Sequence, residues 1–390
     1  MKSLVLCGVL SPAAMALSLY DTAPPIGLPE SHAVRYTASM SAGYDDNLNS
    51  TSGSDRKGGG FIRFGVGASY ADYESVDKVN YSAHIGGTLY NKTAQGTDQR
   101  LFSDIGLSGS LTHSFSAASV YSLHASLSYR PEPDYANGIS AARTQGDCLN
   151  WSVSNAYSQS IDSRWSWTAT AGYSGNIYSN SVYQVDDRQY VNTGLSLNFR
   201  YSSLTTYSAN ASYRYDLRRY GFDSENLYLT GTVSRSIDAV SSFSLTAGAQ
   251  VKFIDGQCKA YPNLRGAYRR TLSEGLSVSA YVSFDNENVD TYNRQGNYRS
   301  NETWRVGTDF QYRFSPKVSF SFGASLLSSS YSDGTNGLGN RERTTWTAHV
   351  GMSYAFTSSL SGNVNYNYTR QSGAYDYHRN VVSAGVSYAF

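Results

Sequence analysis

Hydrophobic and polar positions alternate one by one along most of this chain. Residues 382–390 read V-S-A-G-V-S-Y-A-F, with larger apolar side chains on the even positions and mainly small ones between them. Successive side chains of a β-strand point to opposite faces, so a period of two predicts a strand with one apolar face. An edge strand of a soluble sheet has the same pattern, so the rest of the chain must decide which kind of sheet this strand belongs to.

The same alternation recurs in about eighteen segments. They lie near 34–45, 60–70, 79–90, 102–115, 120–130, 149–160, 164–177, 189–201, 205–215, 226–236, 242–254, 260–270, 276–285, 303–314, 318–327, 345–356, 360–370 and 380–390. Most match the roughly ten tilted residues that cross an outer-membrane bilayer. We therefore predict an all-β fold, a transmembrane antiparallel β-barrel of about 18 strands, with 16 as the alternative count.

The connections alternate between short and long. Short ones such as 160–165 and 314–320 are bracketed by aromatic or aliphatic residues, whereas 46–59, 131–147, 286–302 and 328–344 are rich in Gly, Asn, Asp and Ser. Short periplasmic turns and longer extracellular loops are typical of outer-membrane barrels. This asymmetry is a second, independent indication of the fold.

Charged residues are absent from the apolar face of the predicted strands except near the strand ends. The column at positions 304, 306, 308, 310, 312 and 314 carries no charged residue, and the exceptions elsewhere are Asp72, His113, Arg235 and Arg270. A Lys or Arg facing lipid at mid-bilayer costs about 2–4 kcal/mol, which falls to about 0–1 kcal/mol at the interface. The apolar face is therefore predicted to contact lipid.

Aromatic residues on the predicted lipid face gather at both ends of the strands, as expected for two membrane interfaces. The predicted loop-end belt holds Tyr44, Tyr129, Trp151, Tyr173, Tyr215, Phe253, Trp304 and Trp346. The predicted turn-end belt holds Phe115, Tyr121, Trp165, Tyr201, Phe314, Phe320 and Phe356.

Composition narrows the class further. The chain has 390 residues, including 34 Tyr, 35 Gly and 8 Pro, with a mean hydropathy of -0.42. It has no apolar run long enough for a membrane-spanning helix. A membrane barrel remains possible, because apolar and polar residues alternate along its strands and the mean hydropathy stays low. The net charge of +1 gives no indication of a nucleic-acid partner.

The N-terminus predicts export. Lys2 precedes the apolar stretch 4–10, and Ala14-Met15-Ala16 offers a small-x-small cleavage site. We predict a signal peptide at 1–16, a proline-containing periplasmic leader at 17–33 and the transmembrane barrel at 34–390.

The face opposite the apolar columns is polar and charged. An aqueous channel in a barrel of this size would keep such side chains hydrated, which a soluble core would not. The predicted pore-lining residues are Arg35, Arg63, Arg130, Arg200, Arg214, Lys252, Arg265, Arg269, Arg305, Arg313 and Asp309. Their basic excess predicts a preference for anions.

The whole pattern resembles the Gram-negative outer-membrane β-barrel porins, including the putative β-barrel porin family, and G-Y-D-D-N at 43–47 is similar to their first strand exits. The resemblance implies that Tyr388 and Phe390 form the assembly signal read by the barrel-assembly machinery. It also implies that the third loop folds inward, which makes Glu132 and Asp134 candidate constriction residues.

Catalytic and metal chemistry find no support in the sequence. No local motif places a base beside a nucleophile, and no His or Cys pair has metal-ligand spacing. We predict a non-enzymatic protein without cofactor. Cys148 and Cys258, both expected in extracellular loops, are a candidate disulfide, although their strands are well separated around the wall.

The predicted function is an outer-membrane porin, a water-filled channel for passive diffusion of small hydrophilic solutes. Its expected partners are those solutes, outer-membrane lipid and the barrel-assembly machinery, with homo-oligomerisation left open. The alternative is a plugged or dedicated barrel that acts as a surface adhesin or in export of a surface polysaccharide.

Deletion of Phe390 is expected to lower the yield of membrane-inserted protein and to leave aggregate in the periplasm, because the assembly signal loses its aromatic end. Heat-modifiable electrophoretic mobility of the outer-membrane fraction measures the folded yield. An unchanged yield would show that Phe390 is not needed for insertion.

Overall fold

The computed structural model describes residues 33–48, 52, 56–73, 76–92, 100–130, 148–178, 187–219, 223–254, 256–288, 299–333, 341–373 and 376–390. The predicted signal peptide and, except for residue 33, the predicted leader lie outside these ranges. Within them, no helix has the length and apolar character needed to cross a membrane.

The described residues form one antiparallel sheet of 18 strands, which confirms the predicted fold and settles the count between 16 and 18. The strands are β1 Val34–Asp45, β2 Gly59–Asp72, β3 Asp77–Tyr90, β4 Leu101–Ser116, β5 Ser119–Arg130, β6 Cys148–Ser160, β7 Trp165–Tyr178, β8 Arg188–Arg200, β9 Thr205–Arg218, β10 Ser224–Ser236, β11 Ser241–Ile254, β12 Gln257–Ser273, β13 Leu276–Asn288, β14 Arg299–Ser315, β15 Val318–Asp333, β16 Arg341–Ala355, β17 Leu360–Gly373 and β18 Tyr377–Ala389.

The sheet closes on itself. Each strand pairs with its sequence neighbours, and β1 also pairs with β18, from Thr37 opposite Ala389 to Asp45 opposite Val381. The Phe390 N–H adds a backbone hydrogen bond to the Tyr36 carbonyl at 2.9 Å. Closure leaves no strand edge, as a sheet within a bilayer requires.

The connections separate into two ends of the barrel. At the turn end, where β1 begins and β18 ends, neighbouring strands are joined by 73–76, 117–118, 161–164, 201–204, 237–240, 274–275, 316–317 and 356–359. At the loop end they are joined by 46–58, 91–100, 131–147, 179–187, 219–223, 255–256, 289–298, 334–340 and 374–376. By analogy with outer-membrane barrels, the turn end is periplasmic.

Local side-chain caps fold the turns. Asp162 Oδ1 accepts the N–H groups of Arg164 and Trp165 at 2.6 and 2.7 Å, which lowers the pKa of the Asp162 carboxyl because these donors favour its charged form. Asp238 repeats the arrangement with the N–H of Val240 at 2.8 Å, and its pKa is lowered for the same reason. Such Asx caps need only four residues, so these connections stay short.

The outer face of the barrel is apolar and exposed. Leu195, Val386 and Phe64 retain 55%, 50% and 49% of their accessible surface, although they lie within strands. Exposed apolar side chains extend around the barrel, far beyond the patch size of a soluble protein. This surface is the lipid-contacting face of a transmembrane barrel.

The hydrogen-bonded strands are longer than the hydrophobic pattern predicted. β14 begins at Arg299, β15 continues to Asp333 and β12 begins at Gln257. The assignments of 286–302 and 328–344 to loops were therefore wrong at their ends. Backbone pairing continues beyond the membrane interface, where apolar side chains are no longer required and the alternation disappears.

Side chains reinforce the β1–β18 seam at the loop end. Arg379 Nε donates to Asp45 Oδ2 at 2.9 Å, and both side chains are buried. Asn47 Nδ2 donates to the His378 carbonyl at 2.8 Å, and the Asn380 N–H donates to Asp46 Oδ1 at 2.7 Å. These contacts join the first and last strands above the point where their backbone ladder ends.

Replacement of Arg379 by Ala is expected to destabilise the folded barrel by up to about 3–5 kcal/mol, because it removes the cationic partner of a buried carboxylate. The temperature at which the folded electrophoretic band converts to the unfolded band reports the loss. The double variant Asp45→Asn/Arg379→Gln should recover part of it. An Arg379→Ala band that converts at the wild-type temperature would contradict the role given to this pair.

Candidate functional site in the lumen of the barrel

One face of the sheet lines the lumen, and the strand registers identify it. Opposed residues of an antiparallel pair share a face. Following the registers from strand to strand therefore assigns every strand residue to one of two faces. The face opposite the exposed apolar side chains must point inward. By register, the lumen face includes Arg35, Arg63, Arg200, Arg214, Lys252, Arg265, Arg269, Arg305, Asp309 and Arg313. Arg130 occupies a matching register position opposite Cys148.

Hydroxyl and amide side chains fill the spaces between these charges. Ser69, Ser82, Ser108, Ser126, Ser152 and Ser174 are successive cross-strand partners from β2 to β7. The hydroxyls of Ser82 and Ser108 lie 2.6 Å apart, and those of Ser126 and Ser152 lie 2.9 Å apart. Side chains bonded in this way follow the wall and give it a hydrophilic inner surface.

In the loop half of the lumen, carboxylates pair with bases. Arg214 Nε lies 2.6 Å from Asp216 Oδ1. Asp285 lies between two guanidinium groups, at 3.3 Å from Arg305 and 3.8 Å from Arg265. The seam pair of Asp45 and Arg379 belongs to the same half. Part of the positive charge at this end is therefore neutralised locally.

Arg214 also stacks on an aromatic ring. Its guanidinium carbon lies 4.2 Å from the ring centroid of Tyr190, a cation–π distance. Its partner Asp216 is buried and accepts a second hydrogen bond, from Asn226 Nδ2 at 3.2 Å. Arg214 is therefore held in one orientation on the wall between β8 and β10.

Two histidines pair with lumen carboxylates. His84 Nε2 lies 3.1 Å from Asp104 Oδ1, and His349 Nε2 lies 3.7 Å from Asp309 Oδ1. A side chain at Gly323 would meet both Asp309 and His349, at 2.5 and 2.6 Å, so this glycine provides the space in which the pair lies against the wall. Both histidines have lumen-facing positions by the strand registers, and their carboxylate partners come from neighbouring or more distant strands.

The end of β13 folds into the lumen. In the described strands, the β12–β13 ladder ends at Leu264 and Phe284, although β13 continues to Asn288. Beyond that point the carboxamide of Gln250, on β11, binds the backbone of Asn286. It donates to the Asn286 carbonyl at 2.9 Å and accepts the Asn286 N–H at 3.3 Å. Gln250 thus takes the place of a missing strand partner.

Lys252 completes this contact. Its ammonium group donates to Asn286 Oδ1 at 2.8 Å, and Lys252 and Gln250 are each only 1% exposed. Lys252 was predicted to line an open pore, but here it lies beneath the end of β13 and is shielded from the channel. The alternating pattern predicted the face on which Lys252 lies, but the burial of Lys252 depends on β13, two strands further along the sheet.

The predicted constriction residues Glu132 and Asp134 lie outside the described residues. One segment that the structure does show inside the lumen is the end of β13, from a different hairpin. No repeat or composition signal in the sequence distinguishes this strand end from the others, and the resemblance pointed only to the third loop.

The first loop also enters the lumen. Leu48, which is 2% exposed, packs against Phe61, Tyr90 and Val381, with Phe102 beside them. The rings of Phe61 and Tyr90 are 5.8 Å apart. This is an apolar cluster on an otherwise polar face, and it holds the start of the loop against the inner wall.

The two cysteines do not form the candidate disulfide in the structure. Cys148 is a buried free thiol at the first position of β6, and Cys258 is an exposed free thiol near the start of β12. Both were expected in loops. The connection before β12 is only 255–256, with Gly256 at a φ of 69°, so Cys258 belongs to the wall and cannot swing inward with a long loop.

Replacement of Gln250 by Leu is expected to release the end of β13, because the Asn286 N–H and carbonyl lose their hydrogen-bond partner. Each buried group left unsatisfied costs about 1–3 kcal/mol. Hydrogen exchange at residues 286–288 should become faster. Gln311→Leu, a matched change at an exposed lumen position, should leave that exchange unchanged. Equal exchange in the Gln250 variant and the wild type would show that this side chain does not hold the strand.

No protein-family model and no curated protein matches this sequence. Among solved structures, the chain is similar to OccK9 (OpdG) of Pseudomonas aeruginosa, with 12% identity, a TM-score of 0.49, and 92% of this chain and 98% of that chain covered. OccAB4 of Acinetobacter baumannii gives 8% identity, a TM-score of 0.48, and 93% and 99% coverage.

The siderophore receptor PirA of Pseudomonas aeruginosa gives 10% identity, a TM-score of 0.44, and 93% and 81% coverage. At these scores the likenesses add nothing to what the strand pairing itself shows. The closed sheet, the even strand count and the exposed apolar wall define this chain as a transmembrane β-barrel of the bacterial outer-membrane type.

Proposed function

We propose that this chain is an outer-membrane channel through which small hydrophilic solutes diffuse passively, with a preference for anions. The observation that carries the proposal is the charge of the lumen face. In the described strands, basic residues at lumen-face positions outnumber the carboxylic residues there, which include Asp45, Asp104, Asp216, Asp285 and Asp309. A wall of net positive charge raises the local concentration of anions.

The basic excess persists after ion pairing. Arg200, Arg269 and Arg313 are exposed and have no carboxylate within ion-pair distance in the described part of the chain. Their opposed lumen neighbours are the hydroxyl residues Thr206, Ser242 and Ser319. Such groups hydrate a cation without neutralising it, so the positive charge acts on mobile ions.

A plugged or dedicated barrel is the second candidate, and it too has a supporting observation. Leu48 and the end of β13 both fold into the lumen at the loop end, and both are anchored there by several contacts. Further inward packing at that end would close the channel and leave a surface-presenting protein, such as an adhesin or a partner in polysaccharide export.

The remaining elements of the proposal follow from export to this membrane. Residues 1–16 would act as the signal peptide and residues 17–33 as a periplasmic leader. The apolar outer wall would contact lipid or a second copy of the chain, and the barrel-assembly machinery would insert it. The proposed role is non-catalytic.

In planar bilayers the purified protein is expected to give a steady current and a reversal potential that indicates anion preference. The preference should weaken between 0.1 M and 1 M salt, since the Debye length falls from about 10 Å to about 3 Å. Absence of steady current would favour the plugged barrel. Steady current with cation preference at low salt would retain the channel and reject its proposed selectivity.

A further inference from the structure

In the described strands, a single carboxamide lies on the lipid-contacting face between the two aromatic belts. Asn155 shares the outward face of β6 with Trp151 and Tyr157. Toward the loop end, the ring centroids of Trp151 and Tyr173 lie 6.0 Å apart, and toward the turn end those of Tyr157 and Trp167 lie 5.4 Å apart. From the rise and tilt of a strand, Asn155 lies about 10 Å along the axis from the first pair and about 5 Å from the second. Its side chain is therefore within the hydrocarbon layer.

The Asn155 carboxamide is partly exposed and makes no hydrogen bond to the residues that the structure describes. Other outward polar side chains do find partners. Thr308 donates to the Ser279 carbonyl at 3.2 Å, and Gln189 accepts the Tyr173 hydroxyl at 2.6 Å. Hydrocarbon offers a carboxamide neither a donor nor an acceptor, so an unpaired amide at this depth is costly. A partner from outside the chain would remove that cost.

Small side chains surround Asn155 on the outer wall. Asn155 faces Ala171 across the β6–β7 ladder, and Ala125 and Ala169 occupy the diagonal positions on the two neighbouring strands. Ala171 in turn faces Thr193, an exposed hydroxyl residue on β8. The alanines leave a shallow depression between taller aromatic side chains, through which another surface can reach the amide. The outward positions of β5 to β8 carry no charged residue, so two such walls do not repel each other.

We propose that the outer wall of β5 to β8, centred on Asn155, binds a second copy of this chain across a two-fold axis. A two-fold contact places the same patch on both subunits, so Asn155 of one copy meets Asn155 of the other. A carboxamide carries both donors and an acceptor, and each of the two side chains can donate to its counterpart. A lipid tail provides neither group, which is why this patch selects an identical copy over lipid. The contact is independent of whether the lumen conducts ions.

Two barrels in this arrangement bring one pair of turns together. Ser163 lies in the turn between β6 and β7, near the axis, whereas Ser358 lies in the turn between β16 and β17, on the opposite side of the barrel. Both are exposed, and each directly follows the residue that caps its turn, Asp162 or Thr357. The 18 strands, with ordinary spacing and tilt, give a barrel about 35 Å wide. The two Ser163 residues of a dimer are therefore expected roughly 20–35 Å apart, and the two Ser358 residues roughly 80 Å apart.

Sedimentation in a density-matched mild detergent gives the first measurement. We expect the wild type to form dimers. Asn155→Val removes the amide and keeps a strand-forming side chain, so the dissociation constant of the dimer should rise about tenfold, the effect of two lost hydrogen bonds in a membrane. Asn155→Gln keeps the carboxamide and should retain most of the association. Heat-modifiable mobility confirms that each variant is folded.

A matched control moves the amide to the far wall. Val350 is an exposed outward residue of β16, four positions after the loop-end Trp346, just as Asn155 is four positions after Trp151. Its cross-strand neighbours are the large residues Phe322 and Tyr366, which hold another barrel away. The double variant Asn155→Val/Val350→Asn should therefore remain as weakly associated as Asn155→Val. Recovery of the dimer in the double variant would show that an amide anywhere on the wall suffices, and would overturn the proposed patch.

A distance measurement locates the contact. Ser163→Cys and Ser358→Cys, each in a Cys148→Ser/Cys258→Ser background, are labelled with a nitroxide, and pulsed dipolar spectroscopy gives the distance between labels in lipid nanodiscs. The label at 163 should show an intermolecular distance in the expected short range, and the label at 358 should show none. The background without an added cysteine should give no signal. Wild-type protein that is monomeric, a dimer that Asn155→Val leaves unchanged, or a short distance at 358 instead of 163 would each overturn the proposal.

The remaining outcomes identify other occupants of the wall. A trimer without the short distance at 163 would reject the two-fold contact, and stoichiometric copurification of a different membrane protein, lost in Asn155→Val, would reject a second copy as the partner. Both results are distinct from failure of the proposed channel. A dimer that conducts no ions would support the contact and refute the channel, whereas a conducting monomer would do the reverse.

Discussion

The need to pair every backbone N–H and C=O group within lipid governs this structure. A bilayer offers no water to an unpaired strand edge, so a sheet can cross it only as a closed cylinder. Here closure requires β18 to pair with β1, and the register from Thr37–Ala389 to Asp45–Val381 provides it. The side chains then have only two directions available, and the bilayer selects those that point outward.

Closure also determines where polar chemistry can lie. Apolar side chains that would form the core of a soluble protein are turned outward, and the interior receives Ser, Thr, Asn and most of the charge. The cost of burying these groups remains small where they bond across strands, as Ser82 does with Ser108, or where they stay hydrated, as Arg200 does at the turn end. A polar lumen face is thus a consequence of the sheet and its environment.

The exceptions arise where the backbone ladder is incomplete. Above Leu264 and Phe284, β12 and β13 no longer pair, and the freed strand end leans inward until the Gln250 carboxamide satisfies the Asn286 backbone. At the seam, Arg379 and Asp45 similarly continue the attachment of β18 to β1. In both places a side chain adds to the attachment beyond the last ladder pair, and at β13 the inward strand end narrows the lumen. The turn end, whose short Asx-capped turns hold the strands in register, has no comparable insertion in the described residues.

The sequence by itself determined the all-β barrel, the face that meets lipid and the two ends of the barrel, because a period of two and the cost of charge in lipid act on each strand separately; it left the strand number at 16 or 18. It also placed Arg269 inward and Arg270 outward by simple parity. It could not determine which inward charges are neutralised. Asp285 meets Arg305 and Arg265 only after three strands have been brought side by side, and Lys252 is buried only because β13 crosses above it. Contacts between distant strands depend on register and on where pairing stops, and only the tertiary structure fixes both.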